Sequence, residues 1–172
     1  MRLPFLLFAA VSLVAAIAPG ARAPDFTTQG ALAGKVVNVH LSAQLKRGPV
    51  VLYFFPAAFT GGCNAEARAF AEAVPQFRAA GATVIGMSGD AVADLQRFSS
   101  SECAGKFPVA TADAAILKGF GVLRPEAFRG RQVSSRTSFV IARDGRVAFV
   151  HDDPSPTEHV TQTLAAVKRL KR

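Results

Sequence analysis

Two apolar runs separated by a helical stretch constrain this chain more than any other feature. Pro49–Phe55 (PVVLYFF) is a continuous apolar run of strand length, and Ala82–Met87 (ATVIGM) is another. Such runs suit strands buried on both faces. Between them, Cys63–Val74 places Ala67, Phe70, Ala71 and Val74 on one face of a helix. Strand, helix and parallel strand in this order need a right-handed crossover. Pro75 is expected to kink or restart the helix, and Gly81 to end it.

The flanking sequence extends the pattern. Lys35–His40 (KVVNVH) reads as a short strand. After Ser88-Gly89, Asp90 reads as the N-cap of a helix whose apolar face carries Val92, Leu95 and Phe98. Phe107–Ala110 reads as a short extended segment, Ala114–Phe120 as a small helix, and residues 121–135 as a long loop. Ser138–Ala142 and Arg146–His151 flank Arg143-Asp144-Gly145, a hairpin turn signal. From Ser155 to Leu170, the spacing of Val160, Leu164, Val167 and Leu170 is helical. The predicted class is α/β: a central mixed β-sheet flanked by helices, with a βαβ half followed by a ββα half. That order is the plan of the thioredoxin-like fold.

The chain has 172 residues, half of them apolar, which suits one domain with a single core. Residues 1–23 (MRLPFLLFAAVSLVAAIAPGARA) are set apart from it. One arginine precedes an apolar stretch from Phe5 to Ala18, and Pro19-Gly20 and Ala21-Arg22-Ala23 follow. This is the layout of a secretory signal, with cleavage expected after Ala23 or after Gly20. The domain is then 24–172, and the expected location is periplasmic or otherwise extracytoplasmic. The apolar stretch is shorter than the roughly 20 residues of a membrane span, so no stable insertion is expected after processing. The whole chain carries +8; without Arg2 and Arg22 it carries 18 basic and 12 acidic residues, or +6. The basic residues are densest at Arg124–Arg136 and Lys168–Arg172. They are not interleaved with aromatics and match no nucleic-acid motif, so a nucleic-acid partner is not expected.

Only two cysteines occur, Cys63 and Cys103. In an oxidising compartment they could form one structural bridge. Cys63 could also be a metal ligand or a reactive thiol. Its place favours the last. It stands where a helix begins after a central strand, among unpaired backbone N–H groups and at the positive end of the helix dipole. A thiolate is stabilised there, and its pKa is expected below the free value of about 8.5.

The segment Pro56-Ala57-Ala58-Phe59-Thr60-Gly61-Gly62-Cys63 fits Pro-x-x-x-Thr-x-x-Cys and resembles the active-site motif of the peroxiredoxins. Ser135-Arg136-Thr137-Ser138-Phe139-Val140-Ile141 resembles the family's arginine entering the hairpin strand. Ala23-Pro24-Asp25-Phe26, Phe107-Pro108 and Arg143-Asp144-Gly145 also fall where the family has them. The likeness spans the mature chain and is closest to the Q-type, bacterioferritin-comigratory group. It implies a thiol peroxidase acting on hydrogen peroxide and organic hydroperoxides, in antioxidant defence. It also implies a thioredoxin-like or small-thiol reductant, no cofactor or metal, and a monomer or homodimer.

The resemblance assigns the roles. Cys63 is the peroxidatic nucleophile, becoming a sulfenic acid. Thr60 holds the thiolate and the peroxide through its hydroxyl. Arg136 supplies fixed positive charge, and the backbone N–H groups of residues 62 and 63 form a small oxyanion site. Pro56 shields the pocket, and Glu66 orients Arg136. Taken singly, Thr60 also reads as a helix cap, Glu66 as a dipole complement, Pro56 as a strand end and Arg136 as a surface residue. Two departures stand out. Gly61 replaces a proline common after the threonine. Arg68 replaces the second cysteine that many relatives carry five residues after the first. The resemblance then favours Cys103 as the resolving thiol, with a buried bystander as the alternative; it reads as lying on the helix after the second parallel strand. It sits about one turn beyond the family's position, so bridging needs local unwinding there.

Other classes on this fold fit less well. A Cys-x-x-Cys exchange enzyme needs a cysteine where Glu66 stands. A copper or zinc carrier needs a ligand cluster, whereas His40, His151 and His159 read as isolated surface or strand residues. A non-catalytic or disulfide-exchanging thioredoxin-fold module of the cell envelope remains the alternative.

Overall fold

A computed structural model describes residues 15–170. Most of the apolar stretch of the expected signal thus lies outside the described residues. Along the chain run β1 (Thr27–Leu32), β2 (Lys35–His40), α1 (Leu41–Leu45), β3 (Val50–Phe54), α2 (Gly61–Ala79), β4 (Thr83–Ser88) and α3 (Val92–Ser101). Then come β5 (Val109–Thr111), α4 (Ala114–Gly119), β6 (Leu123–Phe128), β7 (Arg131–Ser134), β8 (Thr137–Ile141), β9 (Val147–Asp152) and α5 (His159–Leu170).

Seven strands form one mixed sheet in the order β2-β1-β5-β4-β3-β8-β9. β3 and β4 are parallel, as are β4 and β5, while β8 runs antiparallel to β3. Every residue of β3 is buried. Its alternation divides the core: Val51, Tyr53 and Phe55 join α2, α3 and α5 on one face, whereas Val50, Leu52 and Phe54 pack with Leu117, Phe120 and Phe139 on the other. The expected class therefore holds: a central mixed sheet flanked by helices.

Several local expectations fail. The helix does not restart at Pro75; α2 runs as one helix from Gly61 to Ala79. Phe70, Val74 and Phe77 are buried on both sides of the proline and hold the helix on the sheet, while Pro75 itself is exposed. Asp90 is not the cap of α3. Ala91 takes that position without a side-chain cap bond, and Asp90 is used elsewhere. Residues 121–135 are not a plain loop but contain the β6–β7 hairpin, a separate two-stranded sheet with an irregular register. Cys103 does not lie on α3. It follows the helix end, just before a turn in which Ala104 (φ +47°) and Gly105 (φ +64°) are left-handed. β1 and α1 are additional elements. Among the described residues, no helix is long and apolar enough to cross a membrane.

Candidate active site

The site forms where β3 gives way to α2. After β3, the Phe55 N–H donates to the Met87 carbonyl at 2.9 Å, which keeps the chain on the sheet up to Pro56. The next residues turn sharply. The Ala58 N–H donates to Asp90 Oδ2 at 2.7 Å, and Phe59 adopts φ +61°, a left-handed geometry that is uncommon for an aromatic residue. Asp90 also accepts from Ser88 Oγ at 2.9 Å and pairs with Arg131 of β7 at 3.2 Å. The residue read as a helix cap thus braces the motif loop.

Thr60 occupies the N-cap position of α2, yet its side chain makes no cap bond. Its hydroxyl donates to the Ala57 carbonyl at 3.0 Å. With that hydrogen engaged, the hydroxyl oxygen is left as an acceptor. Cys63 is the third residue of the helix and is 1% exposed, so only a small substrate can reach its sulfur without movement of the loop. The first-turn amides of α2 have no partner inside the helix.

The sheet register delivers Arg136. Phe54 pairs with Thr137, so the residue before β8 falls at the edge where β3 ends. Arg136 Nη2 donates to Cys63 Sγ at 3.5 Å, Nε donates to the Pro154 carbonyl at 2.9 Å, and Nη1 donates to Glu66 Oε2. Gly62 permits this approach, because a Cβ there would stand 3.1 Å from Arg136 Nη2. Burial works against the charge of Arg136, but Glu66 and Cys63 hold its pKa above the ordinary value. Glu66 is itself buried. Burial raises its carboxyl to about 7 against the lowering pull of Arg136. The attraction of the pair does not recover the desolvation of the acid.

Cys63, Glu66 and Arg136 are thus in direct contact as a chain of groups, with Thr60 at the helix entry. Pro56 lines a neighbouring cavity of about 220 Å³ together with Phe59, Asp90 and Arg131. Cys63 and Arg136 do not line that cavity. Cys103 is fully buried in the same apolar cluster as Cys63, and both are free thiols. Burial pushes the Cys103 thiol well above its ordinary pKa, and the neighbouring Glu102 adds to the shift. The two sulfurs therefore differ: one faces a guanidinium, the other a carboxylate.

The AhpC/TSA family model matches residues 19–150. The chain belongs to the AhpC/TSA family. Chloroplastic peroxiredoxin Q of Suaeda salsa is 34% identical over 160 residues, covering 92% of this chain and 72% of that protein. Peroxiredoxin Bcp of Escherichia coli K12 is 31% identical over 112 residues, covering 64% of this chain and 72% of that protein. Among solved structures, peroxidoxin BcpB of Mycobacterium tuberculosis superposes with a TM-score of 0.78 at 30% identity, covering 88% of this chain and 97% of that one. The Xanthomonas campestris bacterioferritin comigratory protein gives 0.71 at 27% identity, covering 84% and 92%. Within the AhpC/TSA family this chain is therefore of the peroxiredoxin Q/Bcp kind: a thioredoxin-like fold and a peroxidase enzyme with an antioxidant role.

Sequence reasoning missed two residues. Asp90 gave a cap signal, but its contact with Ala58 spans 32 positions. His159 reads in the sequence as an isolated surface or strand residue, yet it is fully buried beside Glu66, with Nδ1 3.6 Å from Oε1. No local signal marks it.

Proposed function

We propose that this enzyme reduces hydrogen peroxide and small organic hydroperoxides through Cys63. The observation that carries this reading is the Arg136 guanidinium on Cys63 Sγ at a helix start. The thiolate attacks the terminal peroxide oxygen. An S–O bond forms, the O–O bond breaks, and the departing oxygen takes a proton to leave as water or alcohol. Arg136 and the first-turn amides face the charge that develops on the oxygens. The Thr60 oxygen is available to accept the substrate's hydrogen. Cys63 is left as a sulfenic acid.

Cys103 then acts as the resolving thiol. It attacks the sulfenic sulfur, releasing water and forming a Cys63–Cys103 disulfide. An external thioredoxin-like or small-thiol donor supplies two electrons and two protons to restore both thiols. Because Cys103 is buried in the turn after α3, that turn opens before the bridge closes.

Stopped-flow reaction of the reduced protein with one equivalent of hydrogen peroxide tests the scheme. Consumption should depend on Cys63. Intact mass should fall by two hydrogens in the parent (about 2 Da) and rise by one oxygen in Cys103→Ser (about 16 Da). A rate no greater than that of free cysteine would remove the proposal.

The chain is exported, with the signal lying within residues 1–23. Ala21 accepts from the Val147 N–H at 2.8 Å, and the Ala23 N–H donates to the Gly145 carbonyl at 2.9 Å. A cut after Gly20 keeps both contacts and is favoured over one after Ala23. N-terminal sequencing of protein recovered from the extracytoplasmic fraction should begin at Ala21. Full-length chain in the cytoplasm would exclude export.

A further inference from the structure

His159 is a buried ring at the active site that the peroxide scheme does not use. It opens α5 and has no exposed surface. Its Nε2 lies 2.9 Å from the Asp153 carbonyl, which can only accept, so Nε2 carries the hydrogen. Its Nδ1 lies 2.8 Å from Ser138 Oγ and therefore accepts from that hydroxyl. The tautomer follows from the two partners. Burial holds the ring below its ordinary pKa, and His151 and Arg136 push the same way against the Asp153 hydrogen bond, which fits a neutral ring.

The bond to Asp153 leads directly to the catalytic arginine. The Asp153 N–H donates to the Arg136 carbonyl at 3.3 Å, and the next carbonyl, that of Pro154, accepts from Arg136 Nε at 2.9 Å. Residues 153 and 154 thus hold Arg136 at both its backbone and its side chain, through the two groups that flank the peptide whose carbonyl His159 binds. The groups facing His159 come from every neighbouring element: Glu66 on α2, Ser138 on β8, His151 on β9 with ring centroids 4.5 Å apart, Asp153 on the following loop, and Arg136. We infer that His159 is a positioning residue for the peroxidase site: by fixing the Asp153 carbonyl it sets the Pro154 carbonyl, which aims Arg136 at Cys63. The role in turnover rests on the proposed peroxidase chemistry. The placement of Arg136 does not.

Two variants of the full chain separate positioning from packing. Gln at 159 can still donate an amide hydrogen to the Asp153 carbonyl, whereas Leu fills similar space with no donor. His159→Leu should react with hydrogen peroxide about tenfold more slowly. Hydrogen exchange of the Arg136 Nε–H, followed by NMR without peroxide, should speed up by a similar factor. His159→Gln should stay within about threefold of the parent in both readouts. A merely structural role predicts a lower melting temperature in both variants with parental rate and exchange in the folded protein, and that result overturns the inference. Equal impairment of the Gln and Leu variants also overturns it. If the Leu variant does not fold, Ser138→Ala, which strips the partner from Nδ1, is read in the same way, and unchanged Arg136 exchange again counts against the inference. A parent no faster than free cysteine, with Arg136 exchange still controlled by residue 159, would remove the peroxidase reading and leave the positioning intact.

Discussion

Arg68 Nη2 lies 2.8 Å from Glu102 Oε2, tying the middle of α2 to the residue before Cys103. Position 68 is where many Q-type relatives carry the second cysteine, so the residue that replaces it here latches the segment bearing the other thiol. Arg68 is largely exposed and Glu102 largely buried, so the pair adds at most about 1 kcal/mol. Arg68→Ala should lower the melting temperature by no more than a few degrees. It should speed disulfide formation after Cys63 oxidation by about threefold, because the turn after α3 opens more readily. The second stopped-flow phase, read by mass at quenched time points, measures this. An unchanged second phase would show that the latch does not restrain Cys103.

Arg136 makes contacts in three directions, to Cys63, Glu66 and Pro154. A lysine is a point charge on a flexible stem and cannot fill all three. Arg136→Ala should slow reaction with peroxide by about a hundredfold or more, and Arg136→Lys should recover only part of that loss. The fold should survive, because Glu66 already holds its proton readily and can become neutral when its partner is removed. Stopped-flow rates with circular dichroism on the same samples test both statements. An Arg136→Ala protein as fast as the parent would contradict the charge argument.

The elements legible in the sequence are those whose burial is complete. β3 and β4 are buried almost throughout and read as unbroken apolar runs, and α2 carries one apolar face. β6 carries Pro125 and Glu126, is exposed over most of its length and pairs with β7 in a two-stranded sheet, so no alternation announces it. The same distinction governs the site. Thr60, Cys63 and Glu66 sit within one strand–helix junction, where spacing carries information. The work of Asp90 and His159 arises only when residues more than twenty positions apart converge, Ala58 on the first, and Glu66 and Ser138 on the second. Cys103 is legible as a thiol near the end of α3 but not as one beyond it, because nothing local marks where α3 stops.

The two glycines before Cys63 should respond in opposite ways. A Cβ at Gly61 meets nothing within 4 Å, whereas one at Gly62 meets the Arg136 guanidinium. Gly61 is the first residue of α2, and Thr60 before it is extended (φ −105°, ψ 150°), as a residue before proline prefers. Proline is well suited to a first helical position. Gly61→Pro should therefore stabilise the protein by about 0.5–1 kcal/mol and leave the peroxide rate near the parent's. Gly62→Ala should displace Arg136 and slow peroxide reduction by about tenfold. Thermal melts and stopped-flow rates on the two variants decide it, and loss of activity in Gly61→Pro would mean that the loop must flex.

Glu66 should leave a signature in the pH dependence of stability. Its folded value of about 7 stands above the ordinary 4.5, because burial disfavours the carboxylate more than Arg136 favours it. Between those two values the folded protein holds a proton that the unfolded chain releases. Stability from this group therefore falls as the pH rises through the window and levels off above it. His159 works in the opposite sense: its folded value is lowered from 6.5, so its contribution rises with pH through that region. The histidine is common to the parent and to Glu66→Gln, so the difference between their stability curves isolates the acid. Urea midpoints from about pH 5 to pH 8 should show the parent losing stability relative to Glu66→Gln as the pH rises. Curves that run parallel across that range would mean that Glu66 ionises as an ordinary carboxylate, with Arg136 repaying its burial in full.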